Sequence, residues 1–215
     1  MRVHPILLTA MILLLGQRLE CQSCSHQALQ GKIDPSDKRF KTFEYVLKEM
    51  ENRDARIIVE TGTARHGTKN CRGDGCSTCI WADWASQNNG YVYSVDISPK
   101  ALANAKAAIG NLGVFVSFVQ SDSVDFLRQF DGSIDFLYLD SFGFKKNDPL
   151  PSQMHHLLEI EAAYSKLTTN SIVMIDDCDL PHGGKGYLVV KYLQDRGWKI
   201  AQKGYQIVMV RDSEN

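Results

Sequence analysis

Three observations predict an α/β fold built on a doubly wound, mostly parallel sheet. The first is the phrase Ile57-Ile58-Val59-Glu60-Thr61-Gly62, a β-branched run that ends in an acid and a glycine. Such a run reads as a strand buried on both faces that delivers its carboxyl end to a ligand. The second is the stretch Tyr91 to Val95, which stops at Asp96, where a carboxylate can take both hydroxyls of a ribose. The third is an alternation of strand-like and helix-like stretches that closes with two short apolar runs around Lys203-Gly204, a hairpin signal. A glycine turn after the first strand and an acid after the second make the site Rossmann-like. The alternation plus the hairpin gives seven strands, parallel except for the antiparallel C-terminal hairpin.

The elements follow in order. Phe40, Phe43, Val46, Leu47 and Met50 recur at helical spacing between Asp37 and Glu51, with Asp34-Pro35-Ser36 as a start signal. Strand one is Arg56 to Glu60. The turn from Thr61 to Gly75 is long and holds Gly62, Gly67, Gly73 and Gly75, so the backbone can approach a ligand closely at several points. Ser77-Thr78 starts a helix through Ser86 that carries Ile80, Trp81 and Trp84. After strand two, Pro99 opens a helix through Ile109. Strand three is Val114 to Gln120, followed by a short helix with Phe126, Leu127 and Phe130, and strand four is Ile134 to Leu139, closed by Asp140. A helix through His155, Leu158, Ile160 and Tyr164 to Leu167 leads to strand five, Ser171 to Ile175, closed by Asp176-Asp177. Gly183-Gly184-Lys185-Gly186 precedes a helix from Tyr187 to Arg196, and Trp198 to Ala201 with Gln206 to Val210 form the hairpin.

The bulk numbers suit one such domain. A chain of 215 residues, 44% hydrophobic and 23% charged, has globular composition and enough length for a full core. The net charge of -1 and pI near 6.6 provide no basic field for a phosphate backbone, so a nucleic-acid partner is not expected. Arg2 precedes the apolar run Ile6 to Leu15, too short to span a bilayer and suited to a signal-peptide core, with a cut after Gly16 or Cys21 conceivable. The other reading is an N-terminal helix packed on the domain. We therefore divide the chain into an extension, residues 1–30, and a domain, residues 31–215. A secreted or membrane-anchored location follows if the extension is a signal, and a cytoplasmic one otherwise.

Six cysteines leave the compartment open. Cys21 with Cys24 and Cys76 with Cys79 are C-x-x-C pairs, Cys71 lies close to the second, and Cys178 stands among aspartates. Structural zinc, disulfides and plain thiols are all compatible with this spacing. In an exported protein the disulfide reading expects two free thiols or fewer.

Glu60-Thr61-Gly62-Thr63, Ser94-Val95-Asp96, Ser121-Asp122-Ser123 and Asp140, in this order before a terminal hairpin, resemble the class I S-adenosylmethionine-dependent methyltransferases over about residues 37–211. Gly73-Asp74-Gly75-Cys76-Ser77-Thr78 resembles the end of an enlarged first motif, in a branch similar to small-molecule O-methyltransferases of the catechol and macrolide type. The resemblance implies S-adenosylmethionine as cofactor. Glu60 and the backbone of Gly62 would hold its methionine end, Asp96 the ribose and Asp122 the adenine amine, with Thr63, Gly75, Ser77, Ile97, Ser123 and Asp140 around them. It also implies that Asp140, Asp176 and Asp177, brought to one rim by strands four and five, could hold a Mg²⁺ that orients an acceptor hydroxyl. Asp177 departs from that pattern, standing where such enzymes often have an amide. His182 and Lys185 overhang the same edge and are candidates, with Asp140, for catalytic contact with the acceptor. His66 fits a lid as well as it fits catalysis.

The expected activity is methyl transfer to an oxygen of a small molecule. A nicotinamide-dependent oxidoreductase would place G-x-G-x-x-G tightly after strand one, which Glu60-Thr61-Gly62 and the long turn do not. A methyltransferase fold used as a non-catalytic secreted binding module is the alternative from another class. The sequence is silent on the acceptor and on oligomeric state.

Overall fold

The computed structural model describes residues 24–211. Seven strands form a single sheet: β1 (Ile57–Thr61), β2 (Tyr91–Asp96), β3 (Val116–Gln120), β4 (Ile134–Leu139), β5 (Leu167–Ile175), β6 (Lys199–Lys203) and β7 (Ile207–Val210). Their order is β3-β2-β1-β4-β5-β7-β6, with the first five parallel and β7 antiparallel to both its neighbours. The fold class read from the sequence is the one observed. The last strand lies inside the sheet, between β5 and β6. Burial explains the placement: Ile207, Val208 and Met209 are buried, whereas β6 carries Lys199 and Lys203, charges that suit an edge.

Among the described residues there are eight α-helices: α1 (Cys24–Leu29), α2 (Phe40–Asn52), α3 (Cys71–Asp74), α4 (Ser77–Gln87), α5 (Pro99–Ile109), α6 (Ser123–Gln129), α7 (Leu150–Ala163) and α8 (Tyr187–Gln194). Alternate strand residues feed two cores. Ile58, Phe136, Tyr138, Ile172 and Met174 pack with α1, α2 and α4, and Val59, Leu137, Leu139, Val173 and Ile175 pack with α6, α7 and α8. Both faces of the central strands are therefore apolar, which is why they read as continuous hydrophobic runs. Trp81 of α4 anchors the first core, its ring 5.3 Å from Phe43, 4.9 Å from Phe136 and 5.5 Å from Tyr138.

Local signals worked where partners are local. Pro99 at the first position and Ser98 as cap, accepting from Ala101 N at 3.2 Å, start α5 as expected. Long-range contacts moved other boundaries. Asp34-Pro35-Ser36 does not begin a helix, because the Asp34 carboxylate accepts from Ser36 N at 2.8 Å and α2 begins only at Phe40. β5 begins four residues before the expected Ser171, since Leu167 pairs with Ile134 ahead of an irregularity in the ladder. Ala28 and Leu29 of α1 lie in the first core. The signal-like run Ile6 to Leu15 lies outside the described residues. Among the described residues no helix is long and apolar enough to cross a membrane.

Candidate active site

The strand order reverses between β2 and β4 on either side of β1, and clefts for ligands open at the carboxyl edge of a sheet at such a switch. Ladder hydrogen bonds run past the strand ends and fix the rim: Gly62 N donates to Val95 O at 2.8 Å, Asp140 N to Thr61 O at 3.0 Å and Asp176 N to Leu139 O at 3.1 Å. Gly62, at φ +81°, is required here. A Cβ on it would lie 2.5 Å from the Asp140 carbonyl oxygen.

Two adjoining cavities occupy this edge and share Gly62, Asp96 and Ser141 in their walls. The first, about 180 Å³, is lined by Val95, Ile97, Asp122, Ser123, Phe142 and His155 as well. Asp96 is oriented by Thr63 N at 3.2 Å and Ser98 N at 2.8 Å. Asp122 caps α6, accepting from Val124 N and Asp125 N through one oxygen. Ile97 is 70% exposed.

His155 belongs to this cavity, which its sequence position on a helix did not reveal. Its ring lies 5.1 Å from that of Phe142, and its Nε2 is 3.0 Å from Ser123 Oγ and 3.6 Å from Glu159 Oε1. Glu159 is fully buried. Burial alone would raise its carboxyl, but His155 and His156 beside it bring it down to about 2, and the Glu159 carboxylate in turn raises His155. The i, i+4 spacing of His155 and Glu159 is the one signal that could have found the pair.

The second cavity, about 210 Å³, is lined by Thr63, Arg65, Asp74, Ser77, Asp140 and Lys185 among others. Glu60 lies beneath it and lines neither cavity. Its carboxyl is fully buried and receives three hydroxyls, Ser77 Oγ, Thr78 Oγ1 at 2.7 Å and Ser94 Oγ at 2.7 Å. Burial outweighs these donors and pushes Glu60 up to about 7. Ser77 and Thr78 start α4 as expected, but their hydroxyls go to Glu60 and Cys76 fills the cap position. Gly75 also lines neither cavity and packs instead under Arg39.

Arg39, itself held by Asp37, donates to the carbonyls of Arg72 at 2.6 Å and Gly73 at 3.2 Å and thereby pins the long first turn. His66 in that turn pairs with Asp74 at the cavity wall. A disulfide joins Cys71 to Cys76, while Cys79 and Cys178 are free and buried. Cys76 is thus not a thiolate donor for zinc, and the pair Cys21 and Cys24 lies outside the residues whose side chains are described. Denatured, non-reduced protein should show at most four free thiols of its six cysteines, rising to six on reduction. Six free thiols in protein kept under oxidising conditions would exclude the disulfide.

Asp140, Asp176 and Asp177 converge as strand order implied, with carboxylate oxygens within 4.8 Å of one another. A cation is already among them. Lys185 Nζ bonds Asp140 Oδ1 and lies 3.2 Å from Asp177 Oδ2, and Lys185 is only 3% exposed. Burial disfavours its charge, but the three acids hold the ammonium well above the usual lysine range. Asp176 is pushed far up by its burial and by Asp140 beside it, whereas Asp177 is lowered by Lys185 and by the hydroxyl of Tyr205 despite its burial. His182 does not join the cluster. It is exposed, in the left-handed region at φ +59°, and lines neither cavity.

Comparison with known proteins agrees with this geometry. Residues 72–178 match the family model of a methyltransferase domain. Among solved structures, an O-methyltransferase from Bacillus cereus in complex with S-adenosylhomocysteine superimposes with a TM-score of 0.52 at 16% identity, over 91% of this chain and 94% of that one. MycE, the methyltransferase of the mycinamycin biosynthetic pathway, in complex with Mg, S-adenosylhomocysteine and mycinamycin VI, gives 0.58 at 14% identity, over 87% of this chain and 53% of that one. A ribosomal RNA methylase from Streptococcus thermophilus gives 0.53 at 14% identity, over 79% and 96%. No curated protein matches the sequence significantly.

Proposed function

We propose that this chain, which carries a methyltransferase domain on the Rossmann-like fold of such enzymes, binds S-adenosylmethionine across the two adjoining cavities. Its methyl group then passes to an oxygen of a small-molecule acceptor. The observation that carries this reading is the pair of cavities sharing Asp96. The first would take the adenosine, with Asp96 at the ribose hydroxyls and Ile97, Asp122, Ser123 and His155 around the base. The second would take the methionine end beside Thr63 and Ser77 and leave the methyl facing Asp140 and Lys185.

Methyl transfer from a sulfonium is an in-line displacement. The acceptor oxygen forms the new C–O bond as the C–S bond breaks, and the sulfur keeps the electron pair as a neutral thioether. The protein's tasks are to hold both partners in line and to receive the hydroxyl proton. Asp140, which lines the second cavity, would take that proton. Neither cavity carries a strip of cationic side chains, and the net charge is -1, which favours a small acceptor over a polynucleotide.

Calorimetric titration of the full chain with S-adenosylmethionine, S-adenosylhomocysteine and NAD tests the reading. Stoichiometric binding of the first two and none of NAD is expected. Binding of NAD alone would shift the assignment to an oxidoreductase, and binding of none to a non-catalytic module.

A further inference from the structure

We infer that Lys185 supplies the positive charge at the acceptor end of the cleft in place of a divalent metal ion; this rests on the methyltransferase reading above. The three carboxylates at the ends of β4 and β5 would suit Mg²⁺ by count and spacing, and all are oxygen donors. They do not suit it in their present company. An octahedral ion needs short bonds to at least Asp140 and one acid of the Asp176-Asp177 pair, and the ammonium of Lys185 already lies between Asp140 and Asp177. Two cations cannot share that gap without strong repulsion.

The lysine is built into this position. Gly184, at φ +57°, passes so near the Asp177 carbonyl that a Cβ there would meet its oxygen at 1.7 Å, and Lys185 N donates to the same oxygen at 3.2 Å. Gln153 of α7, nearly fully buried, donates to the carbonyls of both Gly184 and His182 at 3.0 Å and fastens the loop from the other side. Gly186 leaves room for Cys178 Sγ, which a Cβ would approach to 2.5 Å. The side chain is thus directed inward by its own loop, with Asp140 and Asp177 neutralising it.

An ammonium has three donors, and two are directed at Asp140 and Asp177. The third points the chemistry: it can hold an acceptor oxygen and stabilise the negative charge that develops as the hydroxyl proton passes to Asp140. The C–O bond forms, the C–S bond breaks, and the proton leaves through Asp140 to solvent, with no other reactant needed.

Mn²⁺, a paramagnetic stand-in for Mg²⁺, is the probe. Electron paramagnetic resonance titration of the full wild-type chain is expected to show no stoichiometric site. Lys185→Ala should gain one Mn²⁺ site, binding roughly tenfold or more tightly than wild type, because the carboxylates lose their cation. Asp140→Asn added to Lys185→Ala should remove that site. S-adenosylhomocysteine affinity measured alongside reports the fold and the cofactor assignment separately. If wild type binds the cofactor product and also one Mn²⁺, the inference fails while the methyltransferase reading stands. If wild type does not bind the cofactor product, that reading fails whatever the metal result. Lys185→Ala that binds the cofactor product yet gains no Mn²⁺ also overturns the inference. Should Lys185→Ala not fold, Lys185→Met and the wild-type titration decide it.

Discussion

Replacing Asp96 with alanine is expected to weaken S-adenosylhomocysteine binding by about 2 to 3 kcal/mol, roughly 30- to 150-fold, through loss of two charge-assisted hydrogen bonds to the ribose. The geometry favours a large effect. Thr63 N and Ser98 N hold the carboxylate in place before any ligand arrives, so little entropy is lost on binding. The same two bonds complicate the variant, since alanine leaves both donors without their acceptor. Asp96→Asn keeps one side-chain oxygen and so one of these two bonds, since Thr63 N and Ser98 N donate to different oxygens of the carboxylate. It should melt above Asp96→Ala yet still bind the cofactor product more weakly than wild type. Calorimetry on folded Asp96→Ala that returns wild-type affinity would remove the ribose assignment.

The second large effect is on stability and its dependence on pH. Glu60 is buried beneath three hydroxyls, and its carboxyl sits at about 7 against an ordinary value of 4.5. A carboxyl raised on folding contributes stability that is fully present below the ordinary value and lost as pH rises through the folded one. Between pH 4.5 and 8 wild type should therefore lose on the order of 3 kcal/mol relative to Glu60→Gln, which cannot ionise. Denaturant unfolding of both proteins at several pH values gives the difference directly. A gap that stays constant across this range would show that folding does not raise the Glu60 carboxyl. Asp176 is also raised by burial and by Asp140, so the wild-type curve alone mixes two groups, and the comparison with Glu60→Gln isolates one.

Glu60, expected at the methionine end of the cofactor, shows where sequence stops. An acid followed by glycine at the end of a buried strand is visible as a motif, but whether the carboxyl faces the ligand or the loop behind it depends on Ser77, Thr78 and Ser94, residues on other elements. Gly75 is a similar case. Its place in a glycine-rich turn is legible, but Arg39 on the far side of that turn decides that it packs away from the cavities. His155 shows the converse, where a residue with weak local signals lines the site because the fold carries it to the rim.

The sequence by itself determined the layers, the parallel core of the sheet and the acids that close β1, β2, β4 and β5. These follow from local periodicity, strand-end chemistry and turn residues, which act within a few positions of one another. Tertiary structure decided the partners of those acids. Asp140 meets Lys185 across 45 positions of sequence, and Asp177 meets Tyr205 across 28. A carboxylate's role is set by the charge and water around it, and that environment exists only once the loops after β4 and β5 are folded side by side. The same three acids read as a metal site when taken alone and as the seat of a buried ammonium once Gly184 and Gln153 have turned Lys185 inward.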